Sequence, residues 1–100
     1  MISELYRRHV SALDCAECGI SGYSQAAHSN QAIWGKSRGK KASDIATFPL
    51  CCQRIGELGC HYKHDNYLGI TREEAAERET RYILQTILTL ANTGKLKAVK

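Results

Sequence analysis

Hydrophobic and polar positions along the 100-residue chain alternate with several periods, and each period predicts an element. Over Ser3 to Leu13, the residues Leu5, His9, Val10 and Leu13 recur at near-helical spacing behind a serine able to cap, which predicts a short amphipathic entry helix. Cys15 to Gly22 reads C-A-E-C-G-I-S-G, a tight glycine-bearing turn, and Tyr23 to His28 follows as a short strand ending on a histidine. Ser29 to Ser43 is rich in Gly, Ser and Lys and predicts a loop. Thr47 to Cys52 is a compact apolar stretch whose Pro49 lacks a backbone donor, so it predicts a strand at a sheet edge that pairs with the strand before the loop. Cys60 to Tyr67 predicts a short helix with Gly69 as its stop.

The clearest element comes last. Thr71 and Glu74 have the spacing of a capping box, and Ala75, Tyr82, Ile83, Ile87, Leu90 and Ala91 continue an apolar face up to Gly94. A helix over residues 71 to 93 would be about 34 Å long at roughly 1.5 Å per residue. Its stripe is expected to face the core or a second copy, and Lys95, Lys97 and Lys100 form a basic tail. These elements describe one small α+β domain: an entry helix over 1 to 14, a core over 15 to 68, and a C-terminal helix.

Composition sharpens this. A chain this short buries only about two-thirds of its surface, which excludes a large multidomain enzyme and leaves a modest core. Five cysteines and four histidines are therefore the informative excess, because small cores commonly need a metal or disulfide staple. Residues 1 to 10 carry Glu4, Arg7 and Arg8 and lack the pattern of a secretory signal, and no apolar run approaches the roughly 18 residues of a membrane span. A cytoplasmic protein with no membrane partner is expected, and in a reducing compartment an odd number of cysteines favours thiolate ligands over disulfides.

Cys15 and Cys18 have the spacing at which a turn points two sulfurs at one tetrahedral ion. Cys60 and one of the adjacent Cys51 and Cys52 would complete a structural zinc site. Alternation along the strand sends the two neighbouring thiols to opposite faces, and Cys51 is the expected ligand. The competing readings are buried apolar cysteines or a redox pair.

His61 and Asp65 stand four apart on a predicted helix, placing an imidazole and a carboxylate on one face as half of a divalent-cation shell. A hairpin would bring His28 opposite that face. Phosphodiester cleavage needs a base of near-neutral pKa, a cation and positive charge along the backbone, for which His28, the His61–Asp65 pair and Lys36, Arg38, Lys40 and Lys41 are the candidates. The net charge of +4 is compatible with a polyanionic partner without requiring one. The basic run has a plainer reading as a solvated loop. His64 is expected to be exposed, His9 to lie on a helix face, and Trp34 and Tyr23 to be packing residues.

The string Cys15-x-x-Cys18, Ala26-Ala27-His28-Ser29-Asn30, Gly35-Lys36 to Lys41-Ala42-Ser43-Asp44, Pro49-Leu50-Cys51 and Cys60-His61 with Asp65 resembles the HNH, or ββα-metal, endonucleases over about residues 13 to 68. Within them it is most similar to small phage-type, recombination-associated nucleases of the RecA-dependent Ref kind. The resemblance implies a zinc-stapled ββα-metal fold in which His28 is the general base, His61 and Asp65 hold a catalytic Mg or Mn ion, and Asp44 or Asn30 braces the loop. It also implies DNA as substrate, 5′ phosphate and 3′ hydroxyl products, and a recombinase filament as a possible partner. Ala27 stands where many members carry an acidic residue or a second histidine as a metal ligand. The alternative from another class is a catalytically idle zinc-stapled module that binds nucleic acid or docks on a recombination protein.

Overall fold

The computed structural model describes residues 3–94, and the basic tail at Lys95, Lys97 and Lys100 lies outside the described residues. The described residues form an α+β domain of three α-helices and one two-stranded sheet. Helix α1 spans Glu4–Ser11, strand β1 Ser24–His28, strand β2 Thr47–Cys51, helix α2 Cys60–Asp65 and helix α3 Arg72–Asn92. No helix among the described residues is long and apolar enough to cross a membrane.

The strands pair antiparallel with Ser24 opposite Cys51 and His28 opposite Thr47. Pro49 is tolerated because a two-stranded sheet consists of edges. It pairs with Ala26, and its carbonyl accepts the Ala16 amide, which docks the cysteine turn on β2. Every residue of β2 is buried, and Phe48 and Leu50 form the core with Ala27, Tyr82 and Ile83. The Phe48 ring stands edge-on to His64 at 5.5 Å.

Two helices differ from expectation in register. In α1 the Ser3 hydroxyl caps the Tyr6 amide as anticipated, but the buried pair is Tyr6 and Val10, which pack with Leu90 and half-buried Leu13. Leu5 is 64% exposed because it stands one step of about 100° from that stripe. Helix α2 ends at Asp65 rather than Tyr67, whose φ of 53° takes the backbone out of the helix.

Helix α3 carries both halves of the capping box: the Thr71 hydroxyl accepts the Glu74 amide, and the Glu74 carboxylate accepts the Thr71 amide. Ala75, Tyr82, Ile83 and Leu90 are buried as anticipated, whereas Ala91 is exposed, and Glu79 and Thr86 occupy the same buried stripe. Trp34 packs half-buried against the core. Tyr23, by contrast, is exposed and stacks under the Arg54 guanidinium at 4.8 Å.

Replacing Thr71 with Ala removes the cap without touching the core. It should cost about 1 kcal/mol, read as a lower melting temperature with unchanged metal content.

Candidate functional site

The cysteine cluster is built from three separate pieces of chain. Cys15 and Cys18 come from the turn after α1, Cys51 ends β2, and Cys60 opens α2. Their four sulfurs all lie within 4.8 Å of one another, and Cys18 Sγ and Cys51 Sγ are 3.8 Å apart. Thiolates about 2.3 Å from a tetrahedral centre stand roughly 3.8 Å apart, so these four side chains are positioned to hold one metal ion. Cys52 faces away, lining a groove beside His61.

The long gap between Cys51 and Cys60 is closed by a tight turn in which Arg54 and Glu57 exchange both backbone hydrogen bonds, each 2.9 Å. Gly59 completes the closure. Its φ is 83°, and a Cβ there would meet the Cys52 carbonyl oxygen at 2.5 Å, so only glycine fits. The Cys60 amide then donates to Cys51 Sγ at 3.3 Å, as the Cys18 amide does to Cys15 Sγ at 3.5 Å. Burial pushes the Cys51 thiol up, but the Cys60 amide, Arg54 and the neighbouring thiols outweigh it and bring the group to about 7. Burial and the crowd of sulfurs push Cys60 strongly up. Such opposed demands are relieved when a cation neutralises all four sulfurs.

A cleft of about 510 Å³ opens beside the sheet, and its lining includes His28, Asn30, His61 and Asp65 together with Lys36, Lys41 and Arg7. Behind His28, in the lining of a neighbouring cavity, Asp44 Oδ1 lies 2.7 Å from His28 Nε2. The other Asp44 oxygen accepts the Ser3 amide and lies 3.3 Å from Arg7 Nε. Burial alone would raise the Asp44 carboxyl, but His28, the Ser3 amide and Arg7 outweigh it and hold it below the usual aspartate value. A carboxylate at Asp44 makes Nε2 the protonated nitrogen of a neutral His28 ring. Nδ1 has no hydrogen-bond partner among the described residues and is left to accept a proton.

Across the cleft, His61 Nδ1 is 2.8 Å from Gln25 Oε1. Because that oxygen can only accept, Nδ1 donates to it, and Nε2 on the other side of the ring faces Asp65 Oδ2 at 3.2 Å. Adjacent ligands at about 2.1 Å on an octahedral ion stand roughly 3 Å apart, so the pair fits two positions of a divalent-cation shell. Burial would raise Asp65, but its bonds to His61 and Asn30 prevail and keep it below its ordinary value.

Lys36 and Lys41 line the His28 cleft, while Lys40 lines only a neighbouring cavity of about 660 Å³ that shares Arg7, His28 and Lys41 with it. Arg38 lines neither and stands at the exposed tip of the loop. Both candidates for bracing the loop are engaged elsewhere: Asp44 holds His28, and Asn30 Nδ2 donates to Asp65 Oδ1 at 3.2 Å. Arg7, Gln25 and Glu79 carry parts of the arrangement that the sequence did not single out. A glutamate at helical spacing within the mostly apolar stripe of α3 was the one signal available for Glu79.

His64 is the largest departure from expectation. It is 1% exposed, its Nε2 lies 2.6 Å from Glu79 Oε2, and Arg78 Nη2 donates to its Nδ1 at 2.9 Å. The outward face of α2 is taken by Tyr62 and Asp65, so His64 turns inward against Phe48. Arg78 also reaches Glu17 of the cysteine turn at 3.3 Å, and the Tyr82 hydroxyl donates to the same carboxylate. No family model, curated protein or solved structure matches the chain.

Stripping metal with a chelator, or replacing Cys15 with Ser, should unfold the domain, seen as lost helical circular dichroism. One equivalent of metal should restore the fold of the chelated wild type. Because bound thiolates must be free of protons, the melting temperature of the loaded protein should fall as the solution is made more acidic than neutral.

Proposed function

We propose that the protein is a metal-dependent DNA endonuclease of the HNH type, with zinc in the four-cysteine site and Mg or Mn held by His61 and Asp65. One observation carries this reading: a histidine oriented by Asp44 and a histidine–aspartate pair suited to a cation line the same cleft, beside Lys36, Lys41 and Arg7. Four thiolates gathered within 4.8 Å of one another favour zinc, which needs no open coordination position for a structural role.

The cleft residues divide the chemistry among them. His28 Nδ1 takes the proton from a water as it attacks phosphorus, while Asp44 keeps the ring oriented and stabilises the charge it gains. Lys36, Lys41 and Arg7 contact phosphate oxygens, which fixes the strand without reading its sequence. His61 and Asp65 hold the divalent ion, which when bound supplies positive charge to the departing 3′ oxygen. Products would carry 5′ phosphate and 3′ hydroxyl ends. The resemblance of the sequence motifs to recombination-associated phage enzymes supports a role in phage DNA recombination, with a recombinase filament as the candidate partner.

Ala27 favours a second reading. It leaves the cation His61 and Asp65 as its side-chain ligands among the described residues, which suits a zinc-stapled DNA-binding or docking module without activity.

A plasmid-cleavage assay with Mg²⁺ or Mn²⁺ separates the two. Wild type should cut, and His28→Ala should lose about 10²- to 10⁴-fold in rate. His61→Ala should require more metal, and Asp44→Asn should cut slowly because an amide can offer His28 a donor in place of an acceptor. Intact DNA binding without cutting by any variant would establish the docking module. Equal cutting by wild type and His28→Ala would remove the proposed mechanism.

A further inference from the structure

Glu79 lies in the middle of α3, 1% exposed, at a position where an apolar side chain would continue the stripe. Its carboxylate instead accepts four separate groups. Oε1 takes the Ser29 hydroxyl at 2.7 Å and the Gln31 amide nitrogen at 3.1 Å. Oε2 takes His64 Nε2 at 2.6 Å, and the Asn30 backbone amide lies 3.2 and 3.3 Å from the two oxygens. Arg78 can only donate to His64 Nδ1, so the imidazole offers its Nε2 hydrogen to Glu79.

Burying a carboxylate and an imidazole carries a desolvation cost that their bonds must offset, and apolar residues of similar volume often serve a core equally well or better. The groups Glu79 collects are not scattered. Ser29 and Asn30 directly follow His28, and His64 directly precedes Asp65. Glu79 therefore grips both walls of the cleft one residue behind the side chains proposed to act. It ends in a direct contact between them, Asn30 Nδ2 to Asp65 Oδ1.

We propose that Glu79 is a positioning residue for the cation site: by fixing the 29–31 turn and His64, it sets Asn30 against Asp65 and so orients Asp65 beside His61. This rests on the nuclease reading for its purpose but not for its geometry.

The test uses the full chain with its cysteine-site metal in place, comparing wild type, Glu79→Leu, Glu79→Gln and Asn30→Ala. Glu79→Leu fills the core without the carboxylate. Should it not fold, Glu79→Gln keeps one accepting oxygen but sets an amide donor against the His64 donor. Mn²⁺ titration without DNA should show about tenfold weaker binding in the Glu79 variants, the scale typical of outer-shell changes, with Asn30→Ala weakened in the same direction. Cleavage should fall in parallel and recover at high Mn²⁺. The nuclear magnetic resonance signals of the Asn30 side-chain amide should lose their hydrogen-bonded shift in the Glu79 variants. Folded Glu79 variants with unchanged Mn²⁺ affinity and an unchanged Asn30 signal would overturn the proposal. A wild type that neither binds Mn²⁺ nor cuts would overturn the nuclease reading, and the Asn30 signal alone would then decide whether Glu79 sets this contact.

Discussion

Four sulfurs drawn from three separate stretches of chain impose the constraint on which the remaining geometry hangs. Cys15 and Cys18 belong to a turn, Cys51 to the end of β2 and Cys60 to the first position of α2, and their sulfurs gather within 4.8 Å. His61 directly follows Cys60 and β1 lies hydrogen-bonded to β2, so the cluster fixes the start of α2 against the sheet that carries His28. Gly59 is part of that constraint because no other residue clears the Cys52 carbonyl at the point where α2 begins. A domain this small has little apolar core to do the same work.

The far end of α2 is held by different means. His64 is sandwiched between Phe48, Glu79 and Arg78, and Arg78 continues to Glu17 in the cysteine turn. Helix α3 thus contacts the turn that supplies two cysteines as well as the loop that follows His28. Helix α1 adds the third support, since Arg7 and the Ser3 amide hold the aspartate that holds His28. His28, His61 and Asp65 are each oriented by a partner from another part of the chain: His28 by Asp44, His61 by Gln25, and Asp65 by Asn30. Locked side chains of this kind lower the reorganisation that binding a cation or a phosphate demands.

Much of this was legible beforehand, for identifiable reasons. Hydrogen bonds and caps act over three or four residues, so the helices, the strands and the Thr71–Glu74 box could be located from local pattern. The choice of Cys51 over Cys52 followed from strand alternation, a property of any extended backbone. His28, His61 and Asp65 were recognisable as a set, and they do line one cleft with Lys36 and Lys41. Errors arose where burial is decided by distant neighbours. His64 was expected outside, yet its partners lie fourteen and fifteen positions away on α3. Leu5 was expected inside because a stripe of such width has two acceptable registers in a helix this short, and the position of Leu90 selects Tyr6 and Val10.

By itself, then, the sequence determined the elements, the metal-ligand spacing and the residue types available for chemistry, all of which depend on contacts a few bonds or one helical turn apart. Tertiary structure alone decided that Glu79 binds the 29–31 turn to α2, that Asp44 orients His28, and that Arg7 of α1 joins the cleft. Those choices depend on through-space partners 15 to 50 residues apart. A carboxylate's preference for one donor over another is set by which of them the folded backbone brings within about 3 Å while excluding water.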